Sequence, residues 1–313
     1  MGLGSGAGGV AVADVFSTYL YEGNASTQTI TNGIDLAGEG GMVWIKARTL
    51  SYNHEITDTV RGTDSNGNAL RSNSSTTAQN GDLISFTSSG FDLGFITANG
   101  NETGHDYVSW TWRKAPNFFD VQTWTGDGVS GRQISHDLGS VPGCIFVKVV
   151  NTSGNWIVYH RSTGSTKYLE LNTTDQADTS AAYWANTDPT STHFTVGSTG
   201  IINGSGNTYV AYLFAHNEDL IQCGSFSGND ATVNVDLGWQ PQFIIAKGSN
   251  AAGNWHMYDN ERGAGAYILA DSSNQEFTDS SPDIVFNSTG FDASGNFGIS
   301  GRDYIYIAIK AED

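Results

Sequence analysis

Two groups of the form acid-x-x-arginine-glycine are the first candidates for chemistry in this chain. They occur as DTVRG at 58–62 and DNERG at 259–263, and His160-Arg161 occupies the corresponding place between them. Because an arginine fork matches a carboxylate, each group could bind a polar ligand or form a charge-assisted turn that locks a hairpin. The changed spacing in the middle copy favours the structural interpretation.

A calcium loop is the second candidate, because Asp64-Ser-Asn66-Gly-Asn68 matches the start of one. A complete loop also needs a glycine at its sixth position, a closing glutamate and flanking helices, and none of these follows. We therefore interpret the segment as a polar hairpin tip and predict no cofactor and no metal site. The acidic composition leaves a surface Ca²⁺ elsewhere as an open alternative.

Catalytic arrangements are not evident in the sequence. The seven histidines lack ligand spacing such as HExxH, no GxSxG precedes a helix, and Cys144 has no base beside it. Glu55 and Glu170 could flank a glycosidic bond, but neither acid recurs in the other copies of the repeat described next. We predict that the protein is not an enzyme, with a polysaccharide depolymerase as the enzymatic alternative.

Tryptophan faces are the remaining candidates, since sugar rings stack on exposed aromatic rings. Trp156 and Trp255 follow the same Gly-Asn turn in two copies of the repeat, which is typical of packing positions. Trp184 lies instead in the variable segment AAYWANTDPT, so it is the predicted ligand contact if the protein binds a glycan.

These candidates lie on a sequence that repeats three times, which decides the fold prediction. The strand signature occurs as GMVWIK, GCIFVK and QFIIAK, ending at Lys46, Lys148 and Lys247. Each copy closes on an aromatic strand, YVSWTW, YVAYLF or YIYIAI. At about 100 residues, each copy is large enough for its own core. We predict an N-terminal arm at 1–13 and repeats at 14–114, 115–217 and 218–313.

Composition favours an all-β fold: three tandem antiparallel β-sandwich or jelly-roll-like repeats behind a short extended Gly/Ala arm. Charged residues are only 15%, there are 39 glycines, and the apolar residues lean towards β-branched and aromatic types. We predict seven or eight strands per repeat. Tyr209–Phe214 is apolar on both faces, so we expect it to be buried on both sides where repeats meet.

The joints between repeats are short, and Phe118 and Phe119 make the first one apolar. We therefore expect neighbouring repeats to pack as a rigid rod or wedge. Cys144 and Cys223 fall at strand positions that are apolar in most copies of the repeat. They are predicted to be buried, with a disulfide across repeats as the alternative.

The net charge of the chain limits the classes of partner that it is expected to bind. A formal charge of −18 argues against nucleic acid, which requires a basic surface, and against anionic membranes. The N-terminus lacks the basic and apolar regions of a signal peptide, and no segment is apolar enough to span a bilayer. The composition is nevertheless that of an exposed exterior protein.

Three long strings carry a resemblance to a known family: GLGSGAGGVAVADVFSTYLYEGN (2–24), the segment 124–164, and NGSGNTYVAYLFAHN (203–217). They resemble structural proteins encoded by marine tailed phages, cyanophages among them. The resemblance implies a virion protein of tandem β-sandwiches with no catalytic residues to carry over. Such a protein would be assembled in the host cytoplasm and exposed on the particle exterior.

The resulting prediction is a non-enzymatic tail fibre, tail appendage or capsid-surface protein that presents β-sandwiches for assembly and host adhesion. The Gly/Ala arm is the predicted assembly segment, because glycine-rich extended chain can add to a partner's edge. Its predicted contacts are Gly2, Leu3, Val10 and Val12. Expected partners are other copies of the chain, as a trimer by analogy with phage fibres, other virion proteins and a host-surface glycan. A lectin using Trp184 is the alternative.

Overall fold

A computed structural model describes residues 10–63 and 67–312. The predicted arm contacts Gly2 and Leu3, and the first three residues (64–66) of the predicted polar tip, lie outside the described residues.

Strands dominate the described chain. The first unit contains β1 (Phe16–Glu22), β2 (Gln28–Thr31), β3 (Gly41–Ala47), β4 (Glu55–Asp58), β5 (Leu83–Thr87), β6 (Gly90–Leu93) and β7 (Asp106–Arg113). The second contains β8 (Phe119–Thr125), β9 (Arg132–Ser135), β10 (Pro142–Val149), β11 (Ile157–His160), β12 (Lys167–Glu170), β13 (Asp178–Thr179), β14 (His193–Val196) and β15 (Thr208–Ala215). The third contains β16 (Ile221–Ser227), β17 (Val233–Asp236), β18 (Pro241–Gly248), β19 (His256–Asp259), β20 (Ala266–Leu269), β21 (Phe277–Thr278), β22 (Ile284–Asn287), β23 (Gly290–Ala293) and β24 (Asp303–Lys310).

In the described part of the chain, the helices are single turns whose ends the sequence explains. Helix α1 (Leu36–Glu39) begins where the Asp35 carboxylate accepts from the Gly38 amide at 2.7 Å, and it ends at Gly40 with φ 77°. Helix α2 (Ala181–Trp184) begins at Ser180, whose hydroxyl caps the Ala182 amide, and ends at a left-handed residue. Within residues 10–63 and 67–312, 3-10 turns are found at Val12–Asp14 and Gly295–Phe297.

Each unit is a two-layer sandwich with the same strand order. The large sheets run β1-β7-β3-β4, β8-β15-β10-β11-β12-β13 and β16-β24-β18-β19-β20-β21. The small sheets run β2-β6-β5, β9-β14 and β17-β23-β22, and all pairings between these strands are antiparallel. In every unit the first strand pairs with the last, and the third strand pairs with the last on its other side. The predicted all-β sandwich fold is confirmed.

The large sheets are buried on both faces, because each faces its own small sheet on one side and the other units on the other. Strands β3 and β10 are buried at every position. Between units, the ring of Phe16 lies 5.5 Å from that of Phe243, Trp112 lies 6.1 Å from Phe214, and Phe146 lies 6.3 Å from Trp255. Those pairs join units one and three, one and two, and two and three. The units pack against each other as expected, but the expected form of a rod or wedge is wrong: the three units close into a ring around one aromatic core.

Two joints link consecutive units, and a turn near the N-terminus has the same hydrogen bond as these joints. The amide of Phe118 bonds to the carbonyl of Ala115 at 3.2 Å in the first joint, and Leu220 to Asn217 at 3.1 Å in the second. Val15 makes the same bond to Val12 at 3.0 Å just before β1. The turn at Val12 is therefore equivalent to a joint, and it occupies the place of a third joint between unit three and unit one. Val10 and Val12 line a cavity of about 290 Å³ together with C-terminal residues 310–312.

Both cysteines are buried free thiols, which confirms the prediction of buried strand positions and excludes the disulfide between Cys144 and Cys223 in this structure.

Candidate functional site

The two acid-x-x-arginine groups and His160 lie at the three contacts between units. We call these contacts the 1–2, 2–3 and 3–1 seams after the units they join. At the 1–2 seam, Asp58 Oδ2 accepts from Arg61 Nε at 2.6 Å and from the Tyr212 hydroxyl of unit two at 2.8 Å. Arg61 Nη2 donates to the same hydroxyl at 3.0 Å. Burial raises the pKa of Tyr212, so the phenol stays protonated and remains a donor.

The 3–1 seam repeats this arrangement with different side chains. Asp259 Oδ2 accepts from Arg262 Nε at 2.7 Å and from Trp110 Nε1 of unit one at 2.9 Å. The Arg262 guanidinium also lies 5.3 Å from the centre of the Trp110 ring. Trp110 pairs with β3 at Trp44, and Tyr212 pairs with β10 at the equivalent Phe146. The two groups are therefore the same site in two copies.

The 2–3 seam explains why the middle copy lacks the acid. Its counterpart of Tyr212 is Ile307, which pairs with β18 at Ile245 and has no hydrogen to donate. His160 replaces the acid, and its Nε2 donates instead to the backbone carbonyl of Tyr306 at 3.1 Å. Desolvation lowers the pKa of His160 to about 4, so the ring is neutral there. The structural interpretation of the acid-x-x-arginine groups as turns is correct, but incomplete, because each turn also binds the neighbouring unit.

A second layer of side chains crosses the seams at the other end of the strands. His54 Nε2 donates to the Leu269 carbonyl at 3.0 Å, Trp156 Nε1 to the Arg71 carbonyl at 2.9 Å, and Trp255 Nε1 to the Glu170 carbonyl at 2.9 Å. Each donor reaches the unit before it around the ring. Trp156 and Trp255 are buried, which confirms their predicted packing role.

Backbone hydrogen bonds also cross the three seams, in the opposite sense, because each amide donates to the next unit around the ring. The amides of Ala78, Ala177 and Glu276 donate to the carbonyls of Val150, Ser249 and Arg48 at 3.0, 2.8 and 2.9 Å. The 3–1 seam joins units that are not consecutive in the chain, and it carries an additional ion pair. There Arg48 contacts both carboxylate oxygens of Glu276 at 2.9 Å.

Three lysines at equivalent strand positions are fully buried. Lys46, Lys148 and Lys247 donate to backbone carbonyls, for example Lys148 to Val149 at 2.8 Å and Lys247 to Thr174 at 3.1 Å. Desolvation lowers their pKa values to about 7, 8 and 8 respectively. A low pKa suits a nucleophilic amine, but no substrate reaches amines that are wholly enclosed, so these lysines bridge carbonyls.

The two cysteine thiols are enclosed like the lysine amines. Burial raises the pKa of Cys144 and of Cys223, which disfavours the thiolate that a nucleophile requires. Over residues 10–63 and 67–312, no group of three or more His, Cys, Asp or Glu is arranged to hold a metal ion.

The two strand acids considered for glycoside hydrolysis lie in different units. Glu55 Oε1 accepts from the Thr97 hydroxyl at 2.9 Å beside Asp82, a residue that the sequence did not single out. The Asp82 carboxylate accepts from the amides of Ile96, Thr97 and Gly100, and it thereby shapes an outer loop of unit one. No local sequence pattern signals this role, because the amides that bind Asp82 lie 14 to 18 positions further along the chain.

The predicted ligand contact is wrong. Trp184 is 1% exposed and packs edge-on against Tyr159 at 5.8 Å between ring centres. The reason is that the variable segment forms helix α2, whose turn points the indole inward against β12 and β14. Tyr183, one residue earlier, stays half-buried with its ring centre 3.9 Å from that of Tyr168.

The described part of the predicted assembly arm packs on its own chain. Val12 is buried in the central core, and Val10 lies half-buried against it. These two residues are therefore corrected from partner contacts to core contacts, because they supply the third joint.

The body has two distinguishable ends. Strand β3 begins beside the first joint, where Lys114 bonds to Gly40, and after seven residues, roughly 23 Å, it ends beside the Arg48 bridge. The joints and the chain ends thus lie at one end, the joint end, and the bridging loops at the opposite loop end.

Among the described helices, none combines the length and the apolar character that crossing a bilayer would need.

The family model DUF7483, described as a domain of unknown function, matches residues 11–313. No curated protein matches the chain.

Proposed function

We propose that this chain, which belongs to the DUF7483 family, is a non-enzymatic structural protein of a tailed-phage virion. In this role it is a tail-fibre, appendage or capsid-surface subunit that displays a rigid acidic body on the particle exterior. The family description assigns no function, so the proposal stands on the geometry of the seams and on the resemblance of the sequence to phage structural proteins.

The observation that carries the proposal is that the recurring reactive residues are occupied in holding the units together. Asp58 and Asp259 bind a neighbouring unit, and two of the buried lysines, Lys148 and Lys247, each donate to a carbonyl of the unit before them. A catalytic site requires such groups to face a cleft that admits substrate. Here the repeat preserves a scaffold, as a structural subunit requires.

The two ends of the body support a display role. Val10 and Glu312 lie together at the joint end, so attachment through either chain end would fix the same face to a particle. The loop end then faces away. A surplus of acidic residues keeps such bodies from associating at high local concentration.

Partners follow from this orientation. We propose contacts with other virion proteins and with other copies of the chain at the joint end. A trimer of chains remains part of the proposal, and the mass of the purified protein in solution tests it against the 33.3 kDa of one chain.

Mass spectrometry of purified virions tests the location. We expect peptides of this chain at a copy number comparable with other tail or capsid proteins, and labelling of the particle exterior by antibodies in electron microscopy. Absence of the chain from washed particles, together with its presence in the lysate, would overturn the proposal.

A further inference from the structure

A cleft of about 450 Å³ opens at the loop end where units two and three meet. Strand β12 and the segment that leads to β13 line most of it, and a loop of unit three closes one side. The side chains that matter for recognition are Tyr168, Glu170, Asp175, Gln176 and Asp178.

The walls of this cleft are held rigidly. The Ala177 amide donates to the Ser249 carbonyl at 2.8 Å, and the Gly253 amide donates to the Thr174 carbonyl at 2.8 Å, so both sides are tied across the seam. The Glu170 carboxylate accepts from Asn155 Nδ2 at 2.7 Å, which fixes its orientation. A preorganised wall reduces the entropy that a ligand must overcome on binding.

Comparison with unit three shows what is particular to this cleft. Tyr168 pairs with Asp178, and the equivalent Tyr267 pairs with Phe277. The Phe277 ring stacks on the half-buried Tyr267, with 5.1 Å between ring centres. In unit two the exposed Asp178 takes the place of Phe277, and Tyr168 packs instead against Tyr183, with 3.9 Å between ring centres, while staying half-buried along the cleft.

We propose that this cleft binds a neutral glycan. An aromatic ring edged by carboxylates and an amide matches the two kinds of surface on a sugar, its apolar C–H face and its hydroxyl rim. Tyr168 supplies the ring, and Asp175, Gln176 and Asp178 supply acceptors for hydroxyl hydrogens. The acidic lining and the overall charge of −18 disfavour sialylated, sulfated or uronic sugars.

Only the biological role of this binding, host adhesion by the loop end, rests on the proposed display function. The test of glycan binding uses the isolated full chain. A negative result would therefore not contradict the proposed virion location. If the chain were absent from virions, glycan binding could still be measured.

Titration calorimetry or ligand-observed NMR with maltotriose, cellotriose, mannotriose and a galactotriose tests the cleft. We expect saturable binding of at least one of these, no binding of a trigalacturonate, and a loss of at least tenfold in affinity in Tyr168→Ala and in Asp178→Asn. The matched control is Tyr267→Ala, the same strand position in unit three, which should leave affinity unchanged. Circular dichroism establishes that each variant folds.

Three outcomes would overturn the proposal. They are no binding of any of the four neutral probes at millimolar concentration, binding that Tyr168→Ala and Asp178→Asn leave intact, and saturable Ca²⁺ binding in the cleft without glycan binding.

Discussion

The hydroxyl of Tyr212 donates to the carboxylate of Asp58 at 2.8 Å across the 1–2 seam, and both side chains are buried. The two residues are 154 positions apart, yet they form the same contact that Trp110 makes with Asp259 at the 3–1 seam. Their relationship shows how one chain closes a ring of three units. A buried acid of one unit is satisfied by a donor on the last strand of the next.

Removing that donor should weaken the 1–2 seam. We expect Tyr212→Phe to lower the free energy of unfolding by about 1.5–3 kcal/mol, because a buried hydrogen bond to a charged group is lost while the ring remains. Urea denaturation followed by tryptophan fluorescence measures it. Tyr19→Phe, at a half-buried position on β1, is the control and should change stability by less than about 0.5 kcal/mol. Equal effects of the two substitutions would contradict the assigned role of the seam.

The 2–3 seam offers the reverse experiment. His160→Asp should destabilise the protein by about 3–5 kcal/mol, because it places a buried acid opposite Ile307, which has no donor. Adding Ile307→Tyr should recover part of this loss by recreating the acid–hydroxyl pair. A double-mutant cycle in denaturant measures the coupling. Strictly additive effects would show that residues 160 and 307 do not face each other.

Because the three units form a closed ring, we expect the protein to tolerate new chain ends placed at one of its joints. A circular permutant that begins at Asp219, ends at Glu218 and joins the original ends through residues 1–9 should fold. Its stability should lie within about 1 kcal/mol of the parent, because both cut residues are exposed and the third joint already has the geometry of the other two. Thermal denaturation compares the two proteins. A permutant that aggregates or loses its cooperative transition would argue against an equivalent third joint.

Histidine burial predicts loss of stability in mild acid. Desolvation lowers the pKa values of His160 and His256 to about 4 and that of His54 well below its ordinary 6.5. Between about pH 6.5 and 4 the unfolded chain therefore binds more protons than the folded one, so stability falls as pH falls through that window. Asp271, whose pKa burial raises to about 6, acts in the opposite direction as a single group.

Each histidine should contribute about 1–3 kcal/mol to this loss. Denaturation midpoints at pH 7.0, 5.5 and 4.5 measure the slope, and His160→Gln should flatten it relative to the parent. A stability that stays constant down to pH 4.5 would show that these rings are protonated in the folded state.

Local sequence located the strands well where side chains alternate between faces. The predicted strand Tyr209–Phe214 differs by one residue at each end from the observed Thr208–Ala215. The short strand β13 and helix α2 were missed, because a two-residue strand and a single helical turn carry too little periodicity.

The sequence by itself determined the all-β class, the recurring signature and the burial of Cys144, Trp156 and Trp255, because strand propensity and apolar alternation are written along the chain. The tertiary structure alone decided that units one and three meet, that Asp58 reaches Tyr212, and that Trp184 turns inward beside a cleft edged by Tyr168. Those facts depend on how whole sheets lie against one another. Contacts between residues far apart in the chain leave no local pattern from which to predict them.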